Sequence, residues 1–391
     1  MTVNKIASKL FNWASILEDN TKEQAETTAG MPFIFPHLAL MPDAHLGKGS
    51  TVGSVIPTDG AIMPAAVGVD IGCGMIAVRT QYTKDDIAGL NLKPLREAIE
   101  NAIPASAGKY NTSETETAEV RNNRLEWKAA TGQFNPDTYA KNWRLQLGTL
   151  GSGNHFIEVS LDEEDRVWLF LHSGSRGVGN KIAMHHIKVA QQYCARNWIQ
   201  LPDKDLAYLV EGTEEFDRYI SELRWAQQFA LLNREEMMDR LIEEFEVWIE
   251  GTVESSERVN CHHNYTMLEE HFGKRVWLSR KGAIDAHLGT PGLVPGSMGT
   301  RSYVVSGLGN KLALNSSPHG AGREYSRTAA RKAFTKDDLE KAMVGIEYRD
   351  TDAFIDEIPQ AYKPIDVIME DAKDLVEIKH TLRQILNVKG D

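Results

Sequence analysis

Short apolar runs alternate with glycine-rich punctuation along most of this chain. "VWLFLH" (167–172), "RVWLS" (275–279) and "SYVVSGL" (302–308) are dense in β-branched and aromatic residues and predict strands. A helical period is clearest in three other stretches. These are "NKIAMHHIKVAQQYCARNW" (180–198), the long segment 216–249 beginning "FDRYISELRW", and "IDVIMEDAKDLVEIKH" (365–380). The first twenty residues mix charges through their apolar positions and lack the apolar core of a signal peptide, so they read as a short element of the mature fold. The stretch 108–143, rich in Asn, Thr and Glu, reads as an irregular surface excursion.

Turn-prone segments separate these elements: "HLGKGSTVGS" (45–54), "GVDIGCG" (68–74), "LGTLGSGNH" (147–155), "SGSRGVGN" (173–180), "PGSMGT" (295–300) and "SSPHGAGR" (316–323). They are spread over most of the chain, with no low-complexity linker or short repeat between them. A length of 391 residues would by itself suggest two or three domains. The even spread points instead to one interleaved α/β unit over 1–391, its loops converging on a single site.

Composition narrows the class only modestly. The chain is 42% hydrophobic and 25% charged, which is ordinary for a globular protein, and no stretch has the apolar length of a membrane span. Its three cysteines, Cys73, Cys194 and Cys261, form no disulfide framework, so a reducing cytoplasm is expected. The formal net charge of −12 opposes nucleic-acid binding by bulk electrostatics; a polyanionic substrate would need a local basic patch or bound cations.

Histidine placement carries more chemistry. His45, His155, His172 and His319 each sit in or beside a glycine-rich turn, and His263 lies in "NCHHNY". His185, His186 and His380 lie on stretches read as helical, while His37, His271 and His287 lack a glycine context; all six are left as ordinary histidines. Asp70 and Cys73 stand three positions apart in "GVDIGCG". Thiolate, imidazole and carboxylate together suit Zn, Mn, Fe or Co better than Mg or Ca, and a thiolate can bridge two ions. A buried cysteine in a tight turn capped by Asp70 fits that segment equally well. "SGNHFIEV" places Asn154, His155 and Glu158 within five residues, either facing one cavity or capping the start of an element. "PGSMGTRSY" and "SSPHGAGR" offer backbone N–H groups suited to phosphate, although neither is a P-loop. Arg323, Arg327 and Arg331 recur every four residues, which on a helix makes one basic stripe beside Lys332.

Ten segments together resemble the RtcB-type RNA-splicing ligases. They are "MPDAHLGKGSTVGSVIPT", "GVDIGCGM", "GSGNHFIEV", "LHSGSRGVGN", "NCHHNY", "RKGA", "PGSMGTRSY", "SPHGAGR", "AYKPIDVIM" and the terminal "VKG". The resemblance implies an α+β fold, a single compact intertwined domain with mixed sheets and a metal-lined central cleft. It implies that Cys73 is a thiolate shared by two Mn ions, with Asp70 and His155 completing one set and His172 and His263 the other. His319 would take up GMP from GTP, and Asn154, Glu158, Ser297, Tyr362 and Lys389 would hold the guanylate. Asp43 would serve near the metals and Arg323 near the reacting phosphates. The implied reaction joins RNA 3′-phosphate or 2′,3′-cyclic phosphate ends to 5′-hydroxyl ends, in RNA repair or tRNA splicing. An activating helper protein is a further candidate partner, a monomer is the expected state, and no membrane is involved. The chain departs from the family's usual spelling at "LNSSP" before His319, at the tyrosine of "REYSR" and at Ala44. None of these replaces a ligand or the nucleophile.

Two rival readings use the same residues. A two-metal phosphoesterase opening cyclic phosphates needs the ligands but neither a nucleophilic histidine nor a guanine pocket. A metal-stabilised binding protein needs closed sites of four protein ligands, whereas five residues would here serve two ions.

Overall fold

Two β-sheets and the helices packed on them form the frame in the computed structural model, which describes residues 4–391. The principal strands of the first half are β1 (Asn4–Ala7), β2 (Leu10–Asn12), β3 (Leu38–His45), β4 (Val52–Thr58), β5 (Gly74–Thr83), β6 (Phe156–Leu161) and β7 (Arg166–Ser173). Those of the second half are β8 (Glu257–His262), β9 (Asn264–His271), β10 (Lys274–Lys281), β11 (Ala283–Asp285), β12 (Pro291–Pro295), β13 (Ser302–Gly307), β14 (Ser316–Pro318) and β15 (Val376–Lys389). The six-stranded sheet runs β1-β2-β3-β4-β10-β9, and the larger sheet β8-β5-β7-β6-β15-β13-β12. The β2–β3 pair is parallel while its neighbours are antiparallel, so the sheet is mixed. Strands from opposite ends of the chain sit side by side in both sheets. The α+β class and the single compact, interleaved unit expected above are what the chain adopts.

The larger sheet is buried on both faces, and its sequence shows why. Ile76, Val78, Ile157, Val159, Leu169 and Leu171 point to one side, against Met237, Leu241 and Phe245 and against Leu95 and Ile99. Those partners lie on the helices α6 (Glu214–Ile249) and α3 (Leu92–Ala102), with α1 (Asp19–Ala29), α2 (Pro64–Val67), α4 (Glu116–Thr131) and α5 (Arg176–Arg196) preceding α6 or α3 in the chain. The intervening residues Met75, Ala77, Phe156, Trp168 and Phe170 point the other way, into a core shared with Val55, Leu278, Leu293 and Val304. This period of two, apolar on both faces, is what makes "VWLFLH" a continuous hydrophobic run.

Two expectations are corrected. The stretch 108–143 is ordered into α4, whose N-terminus is capped by the Thr115 side chain accepting from the Ala118 N–H, with Glu116 and Glu119 in the first turn. Its inner side chains Leu125 and Ala129, and Trp143 beyond it, are buried in a core with α5 and α6. The helix expected over 365–380 is α8 (Ile365–Asp371), after α7 (Arg327–Ala333), and it stops well short. From Val376 the chain becomes β15, paired to β13 and β6 on either side. Cross-strand packing overrides a helical period there, and His380 lies on a strand. Among the described residues, no helix is long and apolar enough to cross a membrane.

Candidate metal centre and cleft

One edge of the larger sheet collects the thiol and the imidazoles. Antiparallel pairing sets Gly74 opposite Ser173, Met75 and Phe156 opposite His172, and His262 opposite Gly74. The starts of β5 and β6 and the ends of β7 and β8 therefore meet. Cys73, His155, His172 and His263 are the residues at or next to those four ends. The Cys73 Sγ lies 3.4 Å from His155 Nε2 and 3.2 Å from His172 Nε2. His155 Nε2 is 3.0 Å from Asp70 Oδ2, and the Nε2 atoms of His172 and His263 are 2.8 Å apart. Asp70 reaches the edge because the turn after it passes through Gly72, at φ +69°.

Two donor groups result, Asp70–Cys73–His155 and Cys73–His172–His263, each with ligand atoms within 4.8 Å of one another and Cys73 common to both. The surrounding bonds point the donors inward. The Nδ1 of His155 lies 2.9 Å from the Leu150 carbonyl, and that of His172 lies 3.0 Å from the Asn154 carbonyl. A proton held there leaves each Nε2 lone pair for a metal. Asp70 Oδ1 accepts from the Ser175 N–H at 3.1 Å. Burial, then the Asp70 charge, pushes the Cys73 thiol well up, and burial drives the His172 and His263 imidazoles well down. Burial would raise Asp70 too, but its bond to His155 wins and holds it at about 2. A half-buried carboxylate beside soft donors, with three protein ligands per group, fits a pair of transition-metal ions with open positions.

His319 follows β14, which pairs with β11. Its backbone N–H donates to Asp43 Oδ2 at 3.0 Å, and the same oxygen lies 2.6 Å from the ring Nδ1, off the line of a good hydrogen bond. The His319 and His263 ring centres are 4.5 Å apart. Both rings line a cavity of ≈ 350 Å³ together with Asp70, Asn154, Glu158, His172, Ser297, Arg323, Tyr362 and Lys389. Cys73, His155 and Asp43 are buried and are not wall residues. Thus the structure brings all thirteen residues singled out above to one cleft or immediately behind it.

Several wall residues are held by one another. Lys389 Nζ donates to the Gly153 carbonyl at 2.9 Å and to Glu357 Oε2 at 3.0 Å. The Tyr362 hydroxyl donates to Glu357 at 2.7 Å and accepts from Arg323 at 2.9 Å. Ser297 donates its N–H to Thr300 Oγ1 at 2.6 Å. Burial pushes the Glu158 carboxyl up to about 8 against the opposing pull of Ser302 and Lys389. The basic stripe anticipated over 323–331 is not one. Arg323 precedes α7, Arg323 and Arg327 converge on Glu357, and Arg327 and Arg331 reach Asp356.

Glu357, Lys281, Lys48 and His45 also line the cleft and were not assigned from sequence. Lys281 donates to the carbonyls of Lys48 (2.5 Å) and Ala65 (3.0 Å), and burial lowers it to about 7. Its motif "RKGA" was the only signal for it, and Glu357 had none. Five of the six histidines set aside are bonded elsewhere, such as His186 with Glu222 at 2.7 Å and His37 with the Leu312 carbonyl at 2.7 Å, and His185 is exposed on α5.

The chain resembles known proteins over nearly its whole length. The chain is 46% identical to the RNA-splicing ligase RtcB of Escherichia coli K12, covering 100% of this chain and 99% of that protein. It is 31% identical to the tRNA-splicing ligase RtcB of Thermococcus kodakarensis, covering 90% and 87%. For the protein of the same description from Pyrobaculum aerophilum the figures are 29%, 97% and 93%. The family model described as tRNA-splicing ligase RtcB matches residues 24–390, and the chain belongs to the RtcB family.

Proposed function

We propose that this chain is a GTP- and Mn-dependent RNA ligase that joins 3′-phosphate or 2′,3′-cyclic phosphate ends to 5′-hydroxyl ends. One observation carries the reading: an imidazole whose Nδ1 faces a buried carboxylate stands beside two metal-donor groups in one cleft. With Nδ1 against Asp43, Nε2 is the free nucleophile and makes no hydrogen bond among the described residues. His319 Nε2 attacks the α-phosphorus of GTP. An N–P bond forms, the bond to pyrophosphate breaks, and Asp43 balances the positive charge that develops on the ring. A 3′-phosphate oxygen of RNA then attacks the same phosphorus and frees His319, leaving a diphosphate-linked guanylate on the RNA end. The 5′-hydroxyl oxygen attacks the RNA phosphorus, GMP departs, and a 3′,5′ bond is made. A cyclic phosphate enters after water opens it.

Asp70, Cys73 and His155 would hold one Mn ion and Cys73, His172 and His263 a second; bound there, the ions supply Lewis-acid polarisation of phosphate oxygens. Glu158, Ser297, Asn154, Tyr362 and Lys389 form the wall assigned to the guanylate. Glu158 supplies a carboxyl for base N–H groups, and Lys389 an ammonium fixed from behind by Glu357. Arg323, on the cleft wall, is the guanidinium assigned to the reacting phosphates. Two of the relatives named above are described as tRNA-splicing ligases, which makes tRNA halves the first substrate to try.

The test is incubation with α-labelled GTP and Mn, followed by denaturing electrophoresis. Acid-labile label is expected on the wild-type chain and none on His319→Ala. A wild-type chain that never takes label, yet opens cyclic-phosphate ends, would replace this reading with a metal-dependent phosphoesterase.

A further inference from the structure

The arginines beside the cleft are already engaged in ion pairs. Arg323, Arg327 and Arg331 are each tied to Asp356 or Glu357, so moving one to a phosphate breaks an internal contact. The opposite rim differs. Lys48 lines the cleft and its Nζ lies 3.9 Å from the Met184 Sδ on α5. At the start of that helix, Asn180 donates to the carbonyl of Val69, another cleft residue, at 3.4 Å. Lys181, Met184, His185 and Lys188 follow at i, i+3, i+4 and i+7, the spacing of one helix face, and all four are exposed. Among the described residues, neither these lysines nor Lys48 has a carboxylate within ion-pair distance; the nearby acids Glu222 and Glu215 are taken by His186, Arg218 and Arg196. Next to Lys48, Leu46 is 52% exposed, and Met184 is 43% exposed. The rim therefore combines uncompensated cations with apolar side chains, in a protein whose net charge is −12.

We infer that this rim and the outer face of α5 are the track on which single-stranded RNA leaves the cleft. The inference rests on the RNA-ligase reading above. Lys48, Lys181 and Lys188 contact phosphates, while Leu46 and Met184 pack against bases. From Lys181 to Lys188 the helix rises by about 10 Å, enough to follow roughly three base steps at about 3.4 Å each. Cations that keep no internal partner lose nothing when they move to a phosphate, unlike the arginines of α7. The same contacts release counterions, so they should leave a measurable salt dependence.

The experiment compares full-length Lys181→Ala/Lys188→Ala with Lys373→Ala/Lys379→Ala, an equal loss of charge near the start of β15, away from the cleft. Binding of a fluorescent single-stranded RNA bearing 5′-hydroxyl and 3′-phosphate ends is titrated at several salt concentrations, and guanylylation by labelled GTP is followed in parallel without RNA. The α5 pair should weaken RNA binding about tenfold and flatten the slope of log K against log salt by about 1.4. Both double variants should take label like the wild type. Equal RNA affinities and slopes for the two variants overturn the track and turn attention to a protein partner for this face. A wild type that binds RNA but takes no label overturns the ligase reading instead, and the RNA titration still decides the track.

Discussion

Two buried carboxylates share the cleft and are pushed in opposite directions. Glu357 would be raised by burial, but Lys389 and Arg327 outweigh it and hold the carboxyl at about 2. Glu158 has no such surplus of partners and rises to about 8. The linkage signs follow from these shifts. Glu357 contributes stability that is complete above its usual 4.5 and is lost as pH falls toward 2. Glu158 is most favourable below 4.5 and weakens the fold as pH rises through 8. Glu158→Gln should therefore gain thermal stability over wild type at pH 9 and show less gain at pH 5, read as Tm at both pH values; an identical difference at both would contradict the shift. Glu357→Gln should cost about 3 kcal/mol near neutral pH, because it strips the anion from a buried ion pair, and urea denaturation measures it. That cost should shrink below pH 4. On the proposed GTP-dependent reaction, the same variant should raise the KM for GTP about tenfold, since charge-assisted bonds that position Lys389 and Arg323 become neutral ones.

Strand ends, rather than loops alone, carry the donor atoms, so strand spacing governs the metal centre. Gly74 opens β5 where β8 crosses closest: a Cβ there would sit 2.0 Å from the Cys261 carbonyl. Gly74→Ala must part β5 from β8 and so separate Cys73 from His263. On the proposed two-ion site, the expected result is bound metal falling from two ions toward one or none while the far-UV circular dichroism stays native. Full loading of that variant would show that the donors tolerate the displacement. The elements themselves were readable where local pattern and burial agree, as in β7 and α6. They were misread where pairing decides: the helical spacing read over 365–380 runs into the start of β15, which lies between β6 and β13. The glycine–histidine turns announced the donors, because a ligand on a tight turn leaves a local trace. Glu357 and Lys281 left almost none, since their significance comes from neighbours far away in sequence. The arginines showed the converse, a regular spacing whose side chains are drawn into ion pairs with Asp356 and Glu357.

At the scale of the whole molecule, no segment owns the centre. The donors run from Asp70 to His263 in sequence and meet only when β5, β6, β7 and β8 are paired. Glycine turns without a linker pointed to one unit, but the order of strands was beyond local pattern. β4 pairs with β10 across more than half the chain, and nothing in either strand names the other. A centre assembled only by folding couples metal binding to global stability. On the proposed function, Mn should bind the native chain and ignore the unfolded one, which adds about 2.7 kcal/mol at a hundredfold excess over Kd. Thermal unfolding should accordingly shift upward with Mn, and a chelator should reverse the shift. Cys73 belongs to both donor groups, so Cys73→Ala should abolish the increment, whereas His172→Ala removes a donor from one group and should leave part of it. A Cys73→Ala chain that Mn still stabilises as strongly as wild type would place the ions elsewhere. An increment lost equally in both variants would mean that the two groups bind as one cooperative unit.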